Sequence, residues 1–193
     1  MAQTENIGNP GPIGLMGFGM TTILLNIHNL GVTQLDGHIL GMGIFVGGIA
    51  QIIAGIFEMK KGNTFASTAF TLYGSFWLSF VYIVEFASKK ASPVSMAFFL
   101  LCWGLFTTYM FIGTLKLNKA LQIIFSSLSI LFFILVAENF FKATNSKDAA
   151  IILARIAGVI GVFCGCSAFY LAMAEILNEI YGRVILPIGQ VRK

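Results

Sequence analysis

The sequence predicts an all-α integral membrane protein, six transmembrane helices in one bundle, and three observations carry that reading. Apolar residues make up 57% of the chain and charged residues only 10%, against roughly 25% charged in a soluble domain. The apolar residues collect into six runs, most of them near the roughly 20 residues a helix needs to cross a bilayer. The turns between the runs are polar and too short to hold a soluble domain, so neighbouring helices must run antiparallel. A chain of 193 residues built this way cannot cover itself with polar surface, and a lipid bilayer is its natural solvent.

The runs are, in order, Pro12–Leu30, His38–Phe57, Thr64–Phe86, Val94–Gly113, Leu121–Val136 and Ala149–Ala174. The fifth is the shortest. The turns are Gly31–Gly37, Glu58–Asn63, Ala87–Ser92, Thr114–Lys119 and Glu138–Lys147. Residues 1–11 are expected to be a cytoplasmic N-terminal segment, 12–175 the transmembrane domain and 176–193 a cytoplasmic tail. The N-terminus carries only Glu5 and no basic stretch ahead of an apolar one, so no removable leader is expected and the first run stays as a helix.

Lys and Arg set the orientation. Lys60, Lys61, Lys116, Lys119, Arg183, Arg192 and Lys193 fall on one side and Lys89, Lys90, Lys142 and Lys147 on the other, seven against four, which puts both termini in the cytoplasm of a multi-pass cell-membrane protein. The net charge of +4 is spread over short loops and does not point to nucleic acid. Cys102, Cys164 and Cys166 lie in apolar runs. Cys164 and Cys166 are two apart, so on a helix they point about 200° apart and cannot readily share a metal.

Periodicity adds detail. In the sixth run Ala154, Gly158, Gly161, Gly165, Ala168 and Ala172 form one stripe, and in the second Gly37, Gly41, Gly48 and Gly55 do so. Small residues let membrane helices approach closely, either inside one bundle or between subunits. On the first run Gly11, Gly14, Phe18, Thr22, Leu25 and Asn29 share a face, with Thr21 and Asn26 on its flanks. Lipid would not favour that mixture; it suits a wet path, or interior packing with hydroxyls bonded to the backbone. In the third run Thr64, Thr68, Thr71, Ser75 and Tyr82 form a polar stripe, and Tyr73 points away from it toward Phe70, Trp77 and Phe80. Either that stripe packs against neighbouring helices or the path is aromatic at this level.

The run Asn9-Pro10-Gly11-Pro12-Ile13-Gly14-Leu15 resembles the Asn-Pro-Ala-Pro-Leu-Gly-Leu signature of the acetate uptake transporter family, the succinate–acetate permease-like membrane proteins. Met16 to Thr22, Leu25 to Asn29, Gly47 to Gln51, Lys60 to Phe65, Tyr73 to Trp77, Tyr170 to Glu175, Tyr181 to Arg183 and Leu186 to Gly189 resemble further family segments, in order and over nearly the whole chain. The resemblance implies six spans, a ring-shaped homohexamer, a path through each protomer, and acetate, often with succinate, as the small carboxylate carried. It also implies a narrow apolar constriction made by a Phe, a Tyr and a Leu, which fall by motif position on Phe18, Tyr73 and Leu128.

The residue types suit that chemistry. A bare carboxylate entering hydrocarbon is heavily penalised, and transport needs polar groups that replace water without holding the solute. Thr21, Thr22, Asn26, Asn29 and Gln51 donate hydrogen bonds and carry no charge. Asn9, Pro10, Gly11 and Pro12 form the opening motif; the prolines lack N–H groups and Gly11 permits unusual angles, so backbone groups are expected to be freed there. Glu58, Glu85, Glu138 and Glu175 sit near helix ends, where water or Lys partners serve them. Arg155 lies deeper, and either snorkels or reaches the path. His28 either carries a proton or is held structurally.

No catalytic cluster, metal-ligand spacing or cofactor motif is readable, so enzyme chemistry is not expected. The rivals to transport are a small-ion channel, which would show a ring of Asp/Glu or a carbonyl filter, and a membrane protein that senses carboxylates without moving them.

Overall fold

In the computed structural model, which describes residues 8–191, the chain is all-helical with one isolated antiparallel bridge, Asn118 to Gln190. The long helices are α1 (Gly11–Asn29), α2 (Gly37–Lys60), α3 (Thr64–Phe86), α4 (Pro93–Thr114), α5 (Lys119–Ala143) and α6 (Lys147–Tyr181). Five of them, α2 to α6, are long and apolar enough to cross a membrane. Arg192 and Lys193, used in the charge count, and Glu5 lie outside the described residues.

The helix ends follow local chemistry. Asn63, Ser92 and Asn118 cap α3, α4 and α5 by accepting from backbone N–H groups with their side chains, satisfying donors that a helix start leaves unpaired. Gly182 ends α6 in the left-handed conformation, φ 60°, where a Cβ would be strained.

Two helices outrun the sequence reading. The fifth run was expected to stop at Val136, because Glu138 and Asn139 look like turn residues. Instead α5 continues to Ala143. The buried Glu138 carboxylate accepts from Lys142 Nζ at 2.6 Å, one turn on, and from Asn139 Nδ2 at 3.1 Å. Paired in this way, the charge can stay in the helix. The sixth run, expected over Ala149–Ala174, extends to 35 residues. Beyond it the chain folds back: the Tyr170 hydroxyl donates to Pro187 O, and Lys119 and Ala120 N–H groups donate to Gly189 and Ile188 carbonyls.

Helix α1 packs between α2 and α6. That position explains why it carries Thr, Asn and Gly and is less apolar than the others: more than half of its 19 residues are buried, so little of it meets lipid. The glycine stripe of α6 seats α1. A Cβ on Gly165 would stand 2.8 Å from Gly19 O, and one on Gly19 would stand 2.9 Å from Gly165 O, so the two backbones cross with nothing between them. Gly161 faces the Asn26 side chain and Gly158 faces Leu30. In α2, Gly48 packs on Leu78 and Gly55 on Thr71, both of α3. Of the two uses left open for these stripes, packing inside one bundle is what these five glycines do. Gly37 and Gly41 have nothing within 4 Å.

The eight residues Gly43–Ala50 of α2 are wound as a π-helix. Wider winding inserts residues relative to a 100° repeat and turns everything after it. The face of α2 that meets the bundle interior therefore carries Gln51, Ala54, Gly55 and Glu58, which a uniform helical wheel drawn from Gly37 misplaces.

Candidate functional site

Four cavities lie in file along α1. At the end where α1 begins and α6 finishes, a vestibule of about 410 Å³ is walled by Asn9, Gly11, Leu15, Glu58, Lys61 and Glu175 among others. Next comes a chamber of about 20 Å³ that shares Leu15, Ala69, Phe70 and Phe125 with the vestibule and adds Gln51. Beyond it a chamber of about 40 Å³ holds Thr22, Leu25, Asn26 and Asn29. Asn29 also stands in the wall of an outer cavity of about 430 Å³ at the opposite end, with His28, Glu138, Lys142 and Lys147.

The two small chambers share three residues, Phe18, Tyr73 and Leu128. They come from α1, α3 and α5 and are 7%, 4% and 4% exposed. The Phe18 and Tyr73 rings lie 5.9 Å apart, and Tyr73 sits among Phe106, Trp103 and Phe125. The Tyr73 hydroxyl pairs with Thr107 Oγ1 at 2.9 Å, so its oxygen already has a partner. Of the two alternatives for α3, both hold in part. The polar stripe is occupied locally, with Ser75 donating to Thr71 O and Thr71 against Gly55, while Tyr82 is exposed. The chamber wall on α3 is aromatic, made by Phe70, Tyr73, Phe76 and Trp77.

Each polar residue proposed from the sequence has a distinct place. Thr22 is 3% exposed and its hydroxyl has no hydrogen-bond partner among the described residues. Helical threonines usually bond back to the preceding turn, and Thr22 does not. Gln51 is fully buried, and neither its Nε2 nor its Oε1 has a partner among the described residues. Asn26 donates to Thr22 O at 2.9 Å and accepts from Asn29 Nδ2 at 3.0 Å. Thr21 lies away from all four cavities; its hydroxyl donates to Gly17 O at 2.8 Å and rests against Gly47 of α2.

The opening motif works through side chains and space. Asn9 Oδ1 accepts from Gly11 N–H at 3.1 Å and from Lys61 Nζ at 3.3 Å, and Asn9 Nδ2 donates to Glu175 Oε2 at 3.0 Å. The Pro10 carbonyl accepts from Ile13 and Gly14. The Gly11 amide and the Pro10 carbonyl, among the backbone groups expected to be free here, are thus occupied. Gly11 is an ordinary helical residue, and its use is room: a Cβ there would stand 2.6 Å from Glu175 Oε2. Pro12 is buried in the first turn of α1.

Sequence reasoning left Glu58 and Glu175 at the interface. Glu58 is 2% exposed, its Oε2 is unpartnered among the described residues, and with Glu175 it walls the vestibule. Spacing held the clue: Glu58 follows Gln51 by seven residues, two turns along one face. Arg155 is exposed on the outside of α6 and lines none of the four cavities. His28 Nδ1 lies 2.9 Å from Thr33 O, a structural tie across the turn after α1.

The chain is similar to known proteins over nearly all its length. It is 55% identical to the succinate-acetate/proton symporter SatP of Escherichia coli strain K12, over 98% of this chain and 99% of the relative. It is 35% identical to ammonia transport outward protein 2 of Saccharomyces cerevisiae, over 92% of this chain and 64% of the relative. Its fold matches a solved structure of the bacterial acetate channel SatP with TM-score 0.89 and 53% identity, covering 95% of this chain and 100% of that one. The pattern of the GPR1/FUN34/yaaH family spans residues 1–191, and the chain belongs to that family.

Proposed function

We propose that this protein carries acetate, and other small carboxylates such as succinate, across the cell membrane through a path inside each protomer, narrowed at Phe18, Tyr73 and Leu128. One observation carries the reading: among the described residues these three, and no others, are common to the two chambers at the middle of a cavity file that opens at both ends. Aromatic and aliphatic side chains there limit width and the length of any wet column. The unpartnered Thr22 hydroxyl and Gln51 amide stand on opposite sides of the ring and offer hydrogen bonds without fixed charge, which favours passage over capture.

In the membrane α1 is the sixth span. Its 19 residues reach about 28 Å at 1.5 Å per residue, close to the ~30 Å of hydrocarbon. Both termini are cytoplasmic, and the vestibule with Lys61 and Lys116 opens on that side. The assembly is a ring-shaped hexamer in which every protomer keeps its own path. Gly37 and Gly41 of α2, open in the protomer, are surfaces a neighbouring subunit can approach closely.

The test is uptake of labelled acetate, succinate and ammonium by liposomes holding the purified protein. Acetate uptake that succinate competes with supports the reading. Binding without uptake would make the protein a sensor, conduction of inorganic ions alone would make it an ion channel, and ammonium uptake alone would align it with its yeast relative's name.

A further inference from the structure

Gln51 has an environment that its polarity does not explain. The chamber it enters is walled by hydrocarbon and aromatic rings; its other polar residue, Tyr73, has its hydroxyl engaged with Thr107. Among the described residues no Lys, Arg, His, Asp or Glu lines that chamber. A buried amide with both its donor and its acceptor unmade is strongly disfavoured. Yet the fold holds Gln51 there: the π-helical turn Gly43–Ala50 directly precedes it, and Gly17 of α1 leaves room for it, since a Cβ on Gly17 would stand 2.9 Å from Gln51 Cγ.

We propose that Gln51 reads the solute as the uncharged carboxylic acid, and that the acid, not the anion, crosses the ring. A primary amide has N–H donors on one arm and a carbonyl acceptor on the other. A protonated carboxyl has the matching pair, a carbonyl that accepts from Nε2 and a hydroxyl that donates to Oε1. A carboxylate has acceptors only, so one of its oxygens would face Oε1 with nothing between them, and no cation in the chamber offsets its desolvation. The proton is taken from water on the side of entry and returned to water on the side of exit, so one proton moves with each acid, the coupling that the name of the Escherichia coli relative already carries; what Gln51 adds is the group that selects the protonated form. The charged groups that face this equilibrium are Glu58 of α2, Lys61 of the turn after it, Lys116 of the turn after α4 and Glu175 of α6 in the vestibule wall, and Glu138, Lys142 and Lys147 with His28 at the opposite end. They stand outside the chamber, where the solute still meets water. Substitution by Leu removes an unmade hydrogen-bonding pair and is not expected to lower stability.

The inference rests on the proposed path, and acetamide separates the two. It has the size of acetic acid, never ionises in this range, and presents the same donor and acceptor. In liposomes the wild-type protein should lose about tenfold of its acetate uptake per pH unit from 6 to 8 at fixed total acetate, following the neutral acid. Acetamide should compete equally well at every pH. Gln51→Leu should lower acetate uptake at least tenfold, remove competition by acetamide and keep the wild-type melting temperature. Gln51→Glu should recover uptake only at the acidic end, where its own carboxyl is protonated and again offers a donor and an acceptor. Uptake that is flat from pH 6 to 8, or indifference to acetamide, overturns the inference and leaves acetate transport standing. No acetate uptake at any pH overturns the transport reading itself.

Discussion

Truncating Phe18 separates a ring that borders a path from a ring that fills a core. Phe18 is 7% exposed, between chambers of about 20 and 40 Å³. Phe18→Ala removes six ring carbons and opens on the order of 100 Å³, less than an apolar void known to accept benzene. In a sealed site, at ~24 cal/mol per Å³, that space alone destabilises by roughly 2.4 kcal/mol, and the whole substitution by about 3–5 kcal/mol. On a path that water reaches from either end the void does not stay empty, and a loss of about 1–2 kcal/mol remains. At roughly 2–4 °C per kcal/mol for a chain of this size, the melting temperature should fall by a few degrees. Leu171→Ala is the internal reference: Leu171 is fully buried in the core and lines none of the four cavities. It should lower the melting temperature more than Phe18→Ala, although the side chain lost is smaller. The paired assay is liposome uptake of acetate, succinate and benzoate. Phe18→Ala should raise benzoate relative to acetate at least about tenfold, equivalent to 1.4 kcal/mol. An unchanged ranking with a fall larger than that of Leu171→Ala would make Phe18 a core residue.

Tyr73→Phe keeps the ring and removes the bond to Thr107, which still donates to Trp103 O at 2.7 Å; thermal unfolding should show a loss of about 1 kcal/mol, with acetate uptake within about twofold of wild type. Gly161→Leu drives a side chain into Asn26 on the α1–α6 seam and should abolish folded protein in detergent, whereas Gly41→Leu points into open space within the protomer and should at most break the assembly into folded smaller species; thermal unfolding beside size-exclusion chromatography distinguishes them, and an equal loss of folded protein would refute the seam. Cysteines at Val32 and Val184, both well exposed, in a background lacking the three native cysteines, should label from opposite faces of intact cells; labelling of both from outside would reject the six-span topology.

Much of the α1 side of the site is visible in the sequence, because α1 is a regular helix. A 100° repeat places Gly11, Gly14, Phe18, Thr22, Leu25 and Asn29 on one face; all but Gly14, which faces the Phe70 ring, border the cavities. Helix α2 resists the same reading, because Gly43–Ala50 is π-wound and rotates Gln51 and Glu58 relative to the first turns. The glycine stripes were legible as close-packing surfaces but not as to partner; only the three-dimensional neighbours show that Gly161 meets Asn26 and Gly48 meets Leu78. The ends of α5 and α6 were misjudged because a charged residue looks like a boundary until its partner is seen, as with Glu138 and Lys142. Thr21 is grouped with the lining because the helical wheel puts it, like Asn26, on a flank of the stripe, yet its flank of α1 faces Gly47 of α2.

The central claim is that the solute travels along the cavity file and not between subunits or through lipid. Ala69 is 4% exposed and belongs to both the vestibule and the first chamber, whereas Ile123 is exposed on the outside of α5. In a background lacking native cysteines, Ala69→Cys and Ile123→Cys would be reconstituted, treated with a small thiol-reactive methanethiosulfonate, and assayed for acetate uptake, with modification counted by mass. Uptake should stop in proportion to modification at position 69 and stay unchanged at position 123. Complete modification of Ala69→Cys with acetate uptake intact would contradict the account.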